Sequence, residues 1–408
     1  MSSTQIFWYA IAGIIPMAAG VYIFAHLRAN HIDKQTRMRA RPSEYGWYAV
    51  VLTAFPAIAV ALIGSLLHAF AGLQVPFTML IAAALVVAAG GAILAVRHIQ
   101  PQFRARVVIE NVIRWTLISA SLISILTTIG IVLSIMFEAM RFFDQVSFWH
   151  FVTGTEWYPD DASHNADGKI NEGFGAVPLF AGTFLITLIA MLVSVPIGLL
   201  SAIYMSEYAS PKMRTFFKPV LEVLAGIPTV VYGFFAAITV APLLVNLFDA
   251  LGIEASPNLA LAPGIVMGVM IIPFISSLSD DVITAVPKNL REGSLALGMT
   301  HSETVTRIVV PAALPGIISA FLLGISRALG ETMIVVMAAG LLPNLTGNPL
   351  ETVTTVTVRI VDALTGDQEF HSPETLAAFA LALVLFVVTL TLNLVSTIMV
   401  HKFKQRYE

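Results

Sequence analysis

Leu179-Phe180-Ala181-Gly182-Thr183-Phe184-Leu185-Ile186-Thr187-Leu188-Ile189-Ala190-Met191-Leu192-Val193-Ser194-Val195-Pro196-Ile197-Gly198-Leu199-Leu200-Ser201-Ala202-Ile203-Tyr204-Met205 contains no Asp, Glu, Lys, Arg or His. At about 1.5 Å rise per residue, a hydrocarbon core about 30 Å thick needs roughly 20 apolar residues, so this run crosses a bilayer as one helix. Lipid offers the backbone no hydrogen bonds, which leaves helices or closed barrels, and the alternation of a barrel strand is missing here. Working outward, similar runs occupy 6–25, 47–70, 76–96, 112–137, 220–244, 262–279, 312–342 and 376–400. The spacing predicts an all-α polytopic membrane protein with about nine transmembrane helices. Composition agrees: charged residues are 12% and hydrophobic residues 57% of the chain, against about 25% charged in soluble proteins. Mean hydropathy is +0.84. The absence of cysteine excludes disulfides, thiol nucleophiles and thiolate metal sites. A pI near 6.3 gives no basic surplus for nucleic acid.

Positive charge orients the spans. Of the 22 Lys and Arg, Arg141, Lys169 and Arg359 fall on one side, and Arg114 and Arg327 fall within spans. The rest gather in 28–41, 97–106, 212–218, 288–307 and the tail from Lys402. Such an excess marks the cytoplasmic face, which predicts an N-terminus outside and a C-terminus inside. No Lys or Arg precedes the first run, so it lacks the basic region of a secretory signal and is read as a retained helix. Three spans form an N-terminal extension, 1–104, and six follow in 105–408. An external loop at 138–178 and a long cytoplasmic loop at 280–311 interrupt the latter.

That cytoplasmic loop carries the most specific signal. Val286-Pro287-Lys288-Asn289-Leu290-Arg291-Glu292-Gly293-Ser294-Leu295-Ala296-Leu297-Gly298 reads as a short amphipathic helix closed by a Gly turn, with a second helical stretch running to Val310-Pro311. Held between two spans, it is suited to docking a partner through Leu295 and Leu297, or to lying on the membrane surface. Glu292-Gly293-Ser294, three residues, Gly298, nine residues, then Ile308-x-Val310-Pro311 resembles the EAA loop of ABC importer permeases. Gly293 and Ser294 stand where that family usually has alanines, and Val310 replaces Leu. In the family this loop is the coupling helix that docks on the ATP-binding subunit. The resemblance therefore implies ATPase-coupling roles for Glu292, Gly293, Leu297, Gly298, Ile308 and Pro311. It also implies a six-helix type I importer core.

Other stretches narrow the resemblance. Glu222-Val223-Leu224-Ala225-Gly226-Ile227-Pro228 is similar to the helix break of phosphate permeases, which makes Gly226 and Pro228 the break residues. Trp157-Tyr158-Pro159 with Phe174-Gly175-Ala176-Val177-Pro178 is similar too. Ser326-Arg327-Ala328-Leu329-Gly330-Glu331-Thr332-Met333 resembles permeases of the PstC type. An arginine in mid-span costs roughly 2.5–3.5 kcal/mol on insertion scales, so it faces a water-filled path or a partner. Glu331 is four residues on, so the two can share a helical face as an ion pair. A guanidinium suits the oxygens of phosphate. Arg327, Glu331, Thr332 and Ser326 are thus candidate substrate-path residues, the alternative being a buried pair that only fixes packing.

The resemblance implies a phosphate importer in the bacterial inner membrane. Its other parts would be a homologous second permease of the PstA type, a pair of cytoplasmic ATP-binding subunits and an extracytoplasmic phosphate-binding protein. The chain carries no G-x-x-x-x-G-K-[ST], so ATP hydrolysis must come from a separate subunit and no enzyme activity or cofactor is expected. A calcium reading of 160–168 fails because Ser163 and Phe174 would occupy ligand positions that need carboxylates. No H-E-x-x-H occurs, so no metal site is expected. Pro56, Pro196, Pro228 and Pro273 fall inside spans as packing features, with Pro228 the best candidate for a functional break. Glu222 is read as interfacial. A permease for sulfate or molybdate, or a non-transporting scaffold, remain as alternatives.

Overall fold

Nine helices among the described residues are long and apolar enough to cross a membrane. The computed structural model describes residues 3–70, 76–159, 173–365 and 372–404. The segment weighed for calcium and Lys169 lie outside them. Two compact units, Met1–Ile129 and Gly130–Glu408, meet within one helix.

The first unit holds α1 (Ser3–Gln35), α2 (Pro42–Phe70), α3 (Phe77–Arg97) and the start of α4 (Ala105–Phe143). Lipid tails are as apolar as leucine, so spans associate through close packing rather than hydrophobic exclusion, which favours small residues at the contacts. Ala10, Ala25 and Ala29 of α1, Ala49, Ala57 and Ala61 of α2, and Ala84, Ala88 and Ala95 of α3 are all fully buried. They recur at helical spacing and let the three backbones approach.

The second unit contains α5 (Phe148–Thr153), α6 (Val177–Ile203), α7 (Pro211–Ala225), α8 (Thr229–Phe235), α9 (Ala241–Ala250) and α10 (Leu261–Thr284). It continues with α11 (Lys288–Ala296), α12 (His301–Thr304), α13 (Val310–Leu329), α14 (Met333–Ala338), α15 (Val356–Thr365) and α16 (Pro373–Lys404). Its centre is α10 against α6. A Cβ on Gly268 would lie 2.8 Å from that of Val193 and 2.9 Å from the Ala190 carbonyl oxygen, so only glycine permits the approach. Polar ties pin the outer helices. Thr183 of α6 accepts from the Val356 amide at 3.0 Å, and the buried hydroxyls of Ser319 and Ser396 join α13 to α16. The α4 end, α5 and the bridge between Trp157 and Phe174 are held by an aromatic cluster of Phe142, Phe151, Trp157 and Phe174.

Two expected spans are not continuous helices. The 220–244 run divides at Gly226-Ile227-Pro228: α7 closes at Ala225, and Pro228 is the N-cap of α8. Proline disfavours the helical conformation of the residue before it, which accounts for the break. The 312–342 run divides after Leu329, at Gly330-Glu331-Thr332. Pro56, Pro196 and Pro273 stay inside their helices.

Candidate functional site

Arg327 occupies the last turn of α13, where a cation is favoured by the helix dipole. Its guanidinium carbon lies 5.4 Å from the ring centroid of Phe274 on α10. Both line a cavity of about 220 Å³ with Met205, Lys218, Glu222, Ser276, Ser277 and Asp280. Stacking on a ring occupies the face of a guanidinium and leaves its edge N–H donors available. Among the described residues no carboxylate reaches Arg327 within ion-pair distance. In the same wall the Ser276 hydroxyl is fully buried and has no protein partner. Pro273, also in the wall, withholds a helix hydrogen bond from the Val269 carbonyl.

The expected pair of Arg327 with Glu331 does not form. Helical spacing ends at Leu329, so Glu331 leaves the face that Arg327 occupies. Its Oε1 instead accepts from the amides of Met333 at 3.1 Å and Ile334 at 3.4 Å, closing the N-terminus of α14. The Glu331 carbonyl accepts from Thr357 at 3.0 Å, and the Thr332 hydroxyl donates to the Gly330 carbonyl at 3.3 Å. Glu331 and Thr332 therefore build the break next to Arg327, and neither they nor Ser326 line the cavity wall. Glu222, expected at the membrane interface, does line it.

Reading the sequence missed the ionic floor of this cavity. Asp280, 1% exposed at its side chain, accepts from Arg214 Nη2 at 2.8 Å and Lys218 Nζ at 3.3 Å. The available signal was Asp280-Asp281 closing an apolar run, with Arg214 and Lys218 one turn apart on the amphipathic α7.

The loop between α10 and α13 forms a second constellation. Arg291 of α11 binds Glu207 at 2.8 Å and donates to the Ile283 carbonyl at 2.8 Å. The buried Ser294 hydroxyl donates to that of Thr304 at 2.9 Å. These bonds fix one face of α11 to the body and turn the other outward. Glu292 and Gly293 are exposed, and Leu297 is 86% exposed. A Cβ at Gly293 would meet nothing within 4 Å, whereas Gly298 has φ +88°, a conformation glycine adopts without penalty. The chain then enters α12 through a capping box of Thr300 and Glu303. Ile308 is half-buried in a π-helical turn, and Pro311 lies in the first turn of α13.

Residues 194–408 match the family described as binding-protein-dependent transport system inner membrane component. The chain belongs to that family. The permease is 34% identical to a probable ABC transporter permease protein, YqgH, of Bacillus subtilis, over 68% of this chain and 86% of that one. It is 34% identical to phosphate transport system permease protein PstC 1 of Mycobacterium tuberculosis, over 62% of this chain and 82% of that one. Haemophilus influenzae PstC is 32% identical, over 58% and 79% respectively. The fold is that of a solved bacterial ABC transporter subunit for import of alginate, with TM-score 0.50 and 17% identity, over 74% of this chain and all of that one. This is a multi-pass inner-membrane permease subunit of an ATP-driven importer, working with an ATPase and a substrate-binding protein.

Proposed function

We propose that the permease carries inorganic phosphate and that Arg327 is its contact in the translocation path. The observation that carries this reading is a cation, stacked on Phe274 with no carboxylate in ion-pair distance among the described residues, in a cavity that a buried, unpartnered hydroxyl also lines. A planar guanidinium binds a tetrahedral oxyanion through two oxygens at once. The names of the relatives point the same way. In this reading Glu331 and Thr332 fix the break that ends α13 at Leu329, two residues beyond Arg327, and Ser326 precedes Arg327 in the same turn. Gly226 and Pro228 end α7 and set its approach to the cavity. A second permease of the PstA type would supply the opposite wall, and an extracytoplasmic phosphate-binding protein would deliver the anion.

Coupling falls to α11. Glu292, Gly293, Leu297 and Gly298 would meet the ATPase, with Ile308 and Pro311 passing the motion to α13. ATP favours the arrangement it binds more tightly, and so draws the coupling helices together and shifts the six-helix core 105–408 outward. Orientation follows the positive charges, N-terminus outside and C-terminus in the cytoplasm.

The test is uptake of labelled phosphate at low external concentration, in cells lacking this gene and in cells restored with it, with sulfate and molybdate as competitors. Restoration with competition by neither anion is expected. Restored uptake that molybdate or sulfate suppresses, or unchanged uptake in the deleted cells with no other importer active, contradicts the reading.

A further inference from the structure

The first unit has a charged cleft whose lining shares no residue with the Arg327 cavity. It measures about 410 Å³ and is lined by Arg39, Ala40, Arg41, Glu44, Arg104, Arg106 and Val107. Arg39 and Arg41 come from the turn between α1 and α2, and Arg104 and Arg106 from the start of α4. Their convergence is built in. The Arg39 amide donates to the Pro101 carbonyl at 3.3 Å. The fully buried Tyr45 donates to the carbonyls of Gln100 at 3.1 Å and Phe103 at 2.7 Å. Behind these bonds Met38, Tyr48, Ile99 and Ala105 close an apolar core. The two turns are thus clamped together before any ligand arrives.

The charges do not cancel within the cleft. Arg106 pairs with Glu110 at 2.7 Å. Glu44 spends one carboxylate oxygen on the Arg41 amide at 2.9 Å. Among the described residues the guanidinium groups of Arg39, Arg41 and Arg104 meet no carboxylate within ion-pair distance. All three are exposed. Three forked donors around one concavity suit an anion with several equivalent oxygens. Beyond the cleft, α4 is apolar and exposed around its circumference, with Ile113, Trp115, Leu117 and Ile118 all open. Guanidinium groups at a span end beside an exposed apolar face fit a molecule with an anionic head and apolar tails.

We propose that this cleft binds a phosphate-type oxyanion at the membrane–water boundary, carried by an acidic phospholipid of the facing leaflet. A lipid held there would lie against α1, α2 and α4 and fasten the first unit to that leaflet.

Native mass spectrometry of the purified full-length chain tests it, with phosphatidylglycerol, phosphatidylcholine or inorganic phosphate added in turn. Three proteins are compared: the wild type, the R39Q/R41Q/R104Q variant, and an R28Q/R37Q/R97Q control that removes equal charge from α1, the α1–α2 turn and the end of α3, at residues outside the cleft lining. Retention of phosphatidylglycerol over phosphatidylcholine by wild type and control is expected, with a loss of about tenfold in the cleft variant. If inorganic phosphate is retained by wild type and control, lost by the cleft variant, and phosphatidylglycerol is not discriminated, the oxyanion site stands and its source is free phosphate. Equal retention by all three proteins overturns the proposal, as does a control that falls as far as the cleft variant. If the triple variant does not purify, Arg39→Gln and Arg104→Gln made singly carry the same comparison, each expected to lose severalfold.

Discussion

Asp280 shows how much a single buried charge depends on its neighbours. Its carboxylate is shielded from water yet faces Arg214 and Lys218, whose side chains are 36% and 35% exposed. Removing one partner of a fully buried pair costs about 3–5 kcal/mol. Here the cations can turn to solvent, so Asp280→Ala is expected to destabilise by about 1–2 kcal/mol. Thermal unfolding of the purified permease followed by tryptophan fluorescence should show a midpoint lower by a few degrees. An unchanged midpoint would mean that the cluster does not hold α7 against α10. Arg327 differs because it has a ring and no acid. An arginine within an apolar run marked it as a candidate in the sequence. Its partner was not legible there: helical spacing predicted Glu331, and the chain leaves the helix at Gly330. The Arg291–Glu207 bond was hidden for another reason, since its residues are 84 apart in sequence.

At the scale of elements, uncharged runs are the clearest signal that lipid imposes, and the spans were readable for that reason. Breaks are subtler. Gly226-Ile227-Pro228 could be read because proline removes a donor and restricts the residue before it. The break at Gly330 could not, because a lone glycine between apolar stretches is also compatible with continuous helix and Glu331 looks like a helical partner until it caps α14. The short α5 rests on aromatic packing from distant segments, which local sequence does not report. In the coupling loop, Gly298 at φ +88° turns the chain between α11 and α12. Gly298→Ala places a Cβ in that strained region at about 1–2 kcal/mol. It is expected to misplace Leu297 and lower ATPase stimulation in the reconstituted importer severalfold, while Gly293→Ala, whose Cβ meets no atom of this chain and which restores the alanine usual in the resembled loop, changes it far less. Equal behaviour of the two variants would argue against a positional role for the turn.

For the whole molecule, the proposed orientation rests on charge asymmetry, and the cysteine-free chain is its own background for testing it. Ser302→Cys, beside α11, should react with a membrane-impermeant maleimide only after permeabilisation. Asn348→Cys, in the loop between α14 and α15, should react in intact spheroplasts. The reverse pattern would invert the topology and place α11 away from ATP. In the proposed reading the six spans from α4 onward would provide one side of a path, and the Arg327 cavity would give that side its chemistry. Labelled-phosphate uptake by cells carrying Arg327→Ala or Arg327→Lys, normalised to membrane abundance and ATPase co-purification, tests this most directly. Loss of a charge-assisted hydrogen bond of about 1.5–3 kcal/mol predicts at least a tenfold fall for alanine, with partial retention for lysine. Uptake by Arg327→Ala at the wild-type rate would contradict the account.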